Sequence, residues 1–109
     1  MNAETFTKEY FIEKFEAIPE EEWTEGDLVT KLINEKCQRC ALGHCGMTTY
    51  EIITEEAEAL SMLLRPLHGD KHVTLFESVY RINDAFMFTD FYELGDTPKE
   101  RILNALAKI

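Results

Sequence analysis

Apolar residues return every three or four positions in several stretches of this chain, the spacing of one helix face. In TKEYFIEKFEAIP, Tyr10, Phe11, Phe15 and Ile18 fall near one side with mostly polar residues opposite. The pattern predicts a helix over residues 7–17. It stops ahead of Pro19, because the residue before a proline avoids the α region. In EEEWTEGDLVTKLINEKC, Thr24 and Asp27 have capping-box spacing, while Trp23 and Leu28 occupy the hydrophobic-staple positions. A short helix is predicted there, with Leu28, Leu32 and Ile33 inward and Gly26 costing up to about 1 kcal/mol in its first turn. TTYEIITEEAEALSMLLRP reads as the clearest helix. Thr48 and Glu51 form its capping box, Tyr50, Ile53, Ala57, Leu60 and Leu64 its stripe, and Arg65-Pro66 its stop. LHGDKH reads as a loop.

In VTLFESVYRINDAF, Phe76, Val79, Tyr80 and Asn83 line one stripe, with Leu75, Ile82 and Phe86 beside it. A helix is predicted, with a strand over residues 73–83 as the alternative because β-branched and aromatic residues are frequent. MFTDFYELGD reads as an irregular connector. TPKERILNALAKI places Thr97 at the N-cap, Pro98 at the first helical position and Glu100 at the third, with Ile102, Leu103, Leu106 and Ile109 inward. The sum is a compact all-α domain of about five helices occupying residues 1–109.

Composition supports a folded globule: 45% of the 109 residues are hydrophobic and 11% aromatic. The sequence has no apolar run near the ~18 residues a membrane span needs, and MNAETFTKEYFIEKF lacks the basic-then-apolar order of a signal peptide. A cytoplasmic, microbial setting with reduced thiols is therefore expected. With 21 acidic against 11 basic residues, the net charge is −10. That balance argues against direct nucleic-acid binding and against anionic membranes, since phosphate affinity comes from Lys and Arg displacing counterions. Acidic runs such as PEEEW and TEEAE read as solvated faces; mimicry of nucleic-acid charge toward a basic protein is the sharper alternative.

Candidate chemistry concentrates in CQRCALGHCG, residues 37–46, which holds all three cysteines. Cys37-x-x-Cys40 and His68-x-x-x-His72 have the ligand types and spacings of a Cys2His2 zinc site, with His44 and Cys45 as alternative ligands. Against that site, the gap between Cys40 and His68 contains the strongest helix. A thiol enzyme is a second reading: Cys40 as nucleophile, His44 four residues on as base, and Asn83 or Asp84 orienting it. A Cys-x-x-Cys redox pair lacks its usual βαβ setting. The third reading is structural. Cysteine packs as a small hydrophobe, Gly43 and Gly46 permit a tight turn, and Asn83 serves as a helix C-cap or as a buried amide pinning that turn. The aromatic run FMFTDFY, with Phe88 and Phe91, is a candidate patch for meeting a second copy.

Four motifs occur in order over most of the chain: WTEG at 23–26, CALG at 40–43, IND at 82–84, and the closing TPKERILNAL. This series resembles a family of small, uncharacterised bacterial and phage proteins with a Trp-x-x-Gly entry, a Cys-x-Leu-Gly turn and an Asn-Asp pair before a last helix. The resemblance carries over onto Trp23, Gly26, Cys40, Leu42, Gly43, Asn83 and Asp84. It implies a bacterial or phage origin and supplies no mechanism; Cys37, His44 and Cys45 lie outside its pattern. The expectation is a non-catalytic interaction or accessory module with a protein partner and no cofactor, with the zinc protein and the thiol enzyme as alternatives.

Overall fold

The computed structural model describes residues 6–25, 28–31, 37–49, 51–69, 73–84 and 89–109; at 29–31, 37, 89 and 90 it describes the backbone alone. Helices dominate, and the all-α expectation holds. Helix α1 spans Lys8–Glu16, with the Thr7 hydroxyl accepting from the Tyr10 N–H at 3.2 Å. It buries Phe11 and Phe15. Phe15 meets the Trp23 ring edge-on, centroids 5.3 Å apart, beyond a 3-10 turn at Glu20–Glu22.

The helix expected at residues 28–33 is not formed. Val29–Lys31 is strand β1, antiparallel to strand β2 at Cys37–Arg39, with Val29 opposite Arg39 and Lys31 opposite Cys37. The reason lies upstream. The Thr24 N–H donates to the Arg39 carbonyl at 3.1 Å and Trp23 bridges Arg39 in parallel, so the backbone at 23–24 is already committed to an extended pairing. β-branched Val29 and Thr30 suit the strand that follows. Gly26, Asp27, Leu32 and Ile33, on which the helical reading leaned, lie outside the described residues.

After β2 comes α2, a single turn at Ala41–His44. Helix α3 is Glu55–Leu64, starting later than the Thr48–Glu51 pair suggests. Thr54 is its cap, accepting from the Ala57 N–H at 3.1 Å while donating its own hydroxyl to the Cys45 carbonyl at 2.8 Å. A threonine that satisfies both a helix end and a turn outcompetes one that caps alone. Ile53 is consequently outside the helix and exposed, and Tyr50 lies outside the described residues. Ala57, Leu60 and Leu64 are buried as the stripe predicts.

A 3-10 turn at Arg65–His68 ends α3 and takes part of the stretch read as a loop. The ambiguous segment is helical where it matters: α4 spans Glu77–Asn83 and buries Val79, Ile82 and Asn83. Residues 85–88, which include Phe86 and Phe88, lie outside the described residues. Thr89–Leu94 is 3-10 helical rather than irregular. Helix α5, Pro98–Ala107, is capped as expected, Thr97 accepting from the Glu100 N–H at 3.1 Å. Its inner face is Arg101, Ile102, Ala105 and Leu106; Ile109, expected inward, is 41% exposed. One core joins residues from all five helices among those described. Each fully buried Phe, Leu or Ile there contributes about 1.5–3 kcal/mol of burial.

Candidate functional site

The cysteine-bearing turn sits against the end of α4. Cys40, Ala41, Leu42, Gly43 and Cys45 are all buried, and so are Asn83 and Asp84. The Asn83 side chain joins three segments. Its Oδ1 accepts from the Ala41 N–H at 3.0 Å. Its Nδ2 donates to the Thr24 carbonyl at 2.9 Å and to Asp84 Oδ1 at 2.7 Å. The Ala41 N–H belongs to the first turn of α2 and has no carbonyl of its own helix to reach, so the amide supplies what the fold cannot. Asn83 is thus the buried amide pinning the turn. It is not a left-handed C-cap: the cap is Asp84, with φ −103°.

Gly43 makes the approach between turn and ribbon feasible. A β-carbon there would lie 2.0 Å from the Leu28 carbonyl oxygen and 3.0 Å from the Arg39 β-carbon. Gly46 ends the turn with φ +94°, a conformation that favours glycine. Leu42 is fully buried, and Trp23 packs on the outer side, its indole N–H directed at the Ile18 carbonyl at 3.4 Å.

A residue the motifs overlooked holds this assembly from below. Arg101, buried on α5, donates from Nε to the Ile82 carbonyl at 3.0 Å, from Nη2 to the Asn83 carbonyl at 2.8 Å, and from Nη1 to the Gly95 carbonyl at 3.0 Å. It also pairs with Glu25. A guanidinium that donates to the last carbonyls of α4 both satisfies those acceptors and places positive charge at the negative helix end. Its sequence signal was an arginine on the apolar stripe of α5, one turn before Ala105.

The Cys40 and Cys45 thiols are both held above their ordinary value. Burial pushes the Cys40 thiol up to about 11, against the opposing pull of the Gly43 and Leu42 N–H groups. Cys45 is also raised, first by burial and then by the Glu56 carboxylate beside it. That carboxylate accepts from the Tyr10 hydroxyl at 3.1 Å and pairs with Lys14, tying α1 to α3. His44 is pushed the other way, down to about 4, chiefly by burial, with the Glu22 carbonyl opposing and Arg39 and Lys14 assisting. Its ring rests on Trp23 at 4.6 Å, and its Nε2 is buried without a hydrogen-bond partner. Cys40 and His44 are linked through the backbone, His44 N–H to Cys40 carbonyl at 2.9 Å. A protonated thiol beside a base held neutral lacks the lowered thiol pKa that a nucleophile needs.

Of the proposed zinc ligands, Cys40 is buried in the turn, while the Cys37 side chain and His72 lie outside the described residues. His68 is buried, its Nε2–H donating to the Ser78 carbonyl at 2.9 Å and its ring edge-on to Phe91. Among the described residues no group of three or more His, Cys, Asp or Glu side chains is disposed to hold a metal ion.

Comparison with protein families, curated proteins and solved structures finds no match. The geometry alone must therefore carry the functional reading. Beside the turn, residues 46–49 and 51–53 lie between Cys45 and Thr54, which are tied by the Thr54 hydroxyl donating to the Cys45 carbonyl. Met47 is buried in the core, and the Thr49 hydroxyl accepts from the Glu51 N–H at 3.3 Å. Just before Thr54, Ile52 is 67% and Ile53 52% exposed. Among the described residues no helix is long and apolar enough to cross a membrane.

Proposed function

We propose that this chain is a non-catalytic protein-interaction module whose contact surface is centred on Ile52 and Ile53, ahead of α3. The observation that carries the reading is the pair of adjacent exposed isoleucines on a loop whose neck is hydrogen-bonded and whose Met47 is buried. Exposing two large apolar side chains at successive positions is unfavourable for the free protein, and a partner that covers them recovers that cost. Pinning the neck lowers the ordering cost of binding, so more of the burial energy appears as affinity. The buried, protonated thiols of Cys40 and Cys45 agree with a structural turn that supports the loop. A cytoplasmic setting suits them.

The test is selection of a displayed random-peptide library on the purified protein, with Ile52→Glu/Ile53→Glu as counter-screen. Both residues are exposed, so the double variant keeps its fold. The reading expects enriched peptides with apolar anchors whose binding weakens at least tenfold on the variant. Failure to enrich, or enrichment of peptides indifferent to the variant, overturns it.

A further inference from the structure

The chain that follows Ile53 carries a second exposed feature. Glu55, Glu58 and Met62 lie three and four residues apart on α3, so they share one helix face, opposite the buried Ala57, Leu60 and Leu64. All three are exposed, Met62 at 63%. Resting on the interaction reading above, we propose that Ile52, Ile53 and this face of α3 dock a basic segment of another protein, one whose apolar anchors are interspersed with lysine or arginine.

The first argument is charge. From Thr48 to Leu64 the sequence has four glutamates and no basic residue. Glu56 is engaged with α1, where it meets Tyr10 and Lys14. Glu51, Glu55 and Glu58 are exposed, one ahead of the isoleucines and two after them. Carboxylates set around apolar groups steer cationic chains toward them and turn acidic ones away. The net charge of −10 on the whole chain acts in the same sense.

The second argument separates this occupant from another copy of the chain. A symmetric pair lays the same patch of each copy against its twin. Glu55 and Glu58 would then face the glutamates of the other copy, and like charges across an interface cost affinity. A basic segment covers the same apolar groups and meets those carboxylates with opposite charge.

The third argument is the layout. Ile52 and Ile53 directly precede Thr54, whose hydroxyl is held between the Ala57 N–H and the Cys45 carbonyl, so the helix start beside them is fixed. Met62 follows seven residues after Glu55, about 10 Å along the axis at 1.5 Å per residue. Its unbranched, polarisable side chain adapts to different apolar groups. Apolar groups at both ends with carboxylates between them match a segment that carries its cations between its anchors.

The experiment repeats the displayed-peptide selection on three proteins: the parent, Glu55→Gln/Glu58→Gln, and the charge-matched control Glu21→Gln/Glu93→Gln. All four positions are exposed, so the variants keep their fold. Enriched peptides are synthesised and their binding measured by fluorescence anisotropy at 50 and 300 mM sodium chloride. The proposal expects peptides of net positive charge whose binding weakens about tenfold at the higher salt. Glu55→Gln/Glu58→Gln should weaken them about fivefold, and the control less than twofold. Enriched peptides that need Ile52 and Ile53 but are neutral or acidic overturn the proposal and leave the interaction reading standing. Failure to enrich any peptide overturns both. Equal losses in the two glutamine pairs show only the diffuse field of an acidic chain and overturn it. A parent that sediments as a dimer, and as a monomer after Ile52→Glu/Ile53→Glu, gives the surface to a second copy and overturns it too.

Discussion

Replacing Asn83 by alanine tests the packing of the motif-bearing turn. The substitution removes the acceptor of the Ala41 N–H, a group on a fully buried residue with no alternative carbonyl in its own helix. A buried donor left without a partner costs about 1–3 kcal/mol. The Thr24 carbonyl, on a half-buried residue, loses its donor at smaller cost because solvent can replace it. The absent amide leaves a void of roughly 40–50 Å³, adding about 1 kcal/mol at the usual cavity coefficient. Together these give a destabilisation of about 2–4 kcal/mol, a large fraction of the 5–15 kcal/mol typical of a domain. With a urea m-value of about 1.5 kcal/mol/M, the unfolding midpoint should fall by about 2 M. Asn104→Ala is the control. Its amide reaches the Leu94 carbonyl from an exposed position, and its loss should cost under about 1 kcal/mol. If Asn83→Ala costs no more than Asn104→Ala, the amide is not what holds the turn and the argument from its three partners fails.

The remaining predictions use other parts of the same assembly. Gly43→Ala places a β-carbon 2.0 Å from the Leu28 carbonyl oxygen, and should cost at least about 3 kcal/mol or prevent accumulation of folded protein; thermal melting within 1 kcal/mol of the parent would contradict the close approach. Thr97→Ala removes the cap of α5 and should cost about 1 kcal/mol by urea titration, whereas Thr97→Ser should be nearly neutral. His44, held down at about 4, makes stability fall with acid. Above its ordinary value near 6.5 both folded and unfolded chains keep it neutral. Between 6.5 and 4 only the unfolded chain gains a proton, so stability drops across that window. The loss is about 1–2 kcal/mol after allowing for partial exposure. His44→Gln should flatten that slope in parallel urea titrations at pH 7 and pH 4.5, and an unchanged slope would place its origin elsewhere.

Much of the fold was legible where local signals and burial agree. Thr97, Pro98 and Glu100 specify the start of α5, and Thr7 with Pro19 brackets α1, because caps and prolines act through the chain's own backbone. The errors share one cause. Thr24 with Asp27 and Thr48 with Glu51 have capping-box spacing, yet the Thr24 backbone pairs with Arg39, and Thr54 caps α3 because it also holds the Cys45 carbonyl. Pairings made across fifteen and nine residues leave no periodic trace. The turn that holds Cys40, Leu42 and Gly43 and the Asn83–Asp84 pair are brought together in space, Asn83 accepting from the Ala41 N–H. Arg101 was missed because an arginine on an otherwise apolar stripe reads as a surface residue until its carbonyl partners are seen. Cys37 and Cys40 drew attention to metal, whereas the exposed Ile53 looked like core because it was assigned to the stripe of a helix that begins after it.

The central claim is that the cysteine turn is a buried structural support, with function residing on the surface beside it. Alkylation kinetics test it most directly. In a Cys37→Ser background, leaving only Cys40 and Cys45, the native protein is treated with iodoacetamide at pH 7 and the labelled sites are followed by peptide mass mapping. A thiol raised to about 11 carries on the order of 100-fold less thiolate than one at its ordinary value. Cys40 should therefore label about 100-fold more slowly in the native protein than in urea, and Cys45, also raised by burial, more slowly too. Labelling of native Cys40 as fast as, or faster than, the unfolded chain would show an activated thiol and contradict the claim.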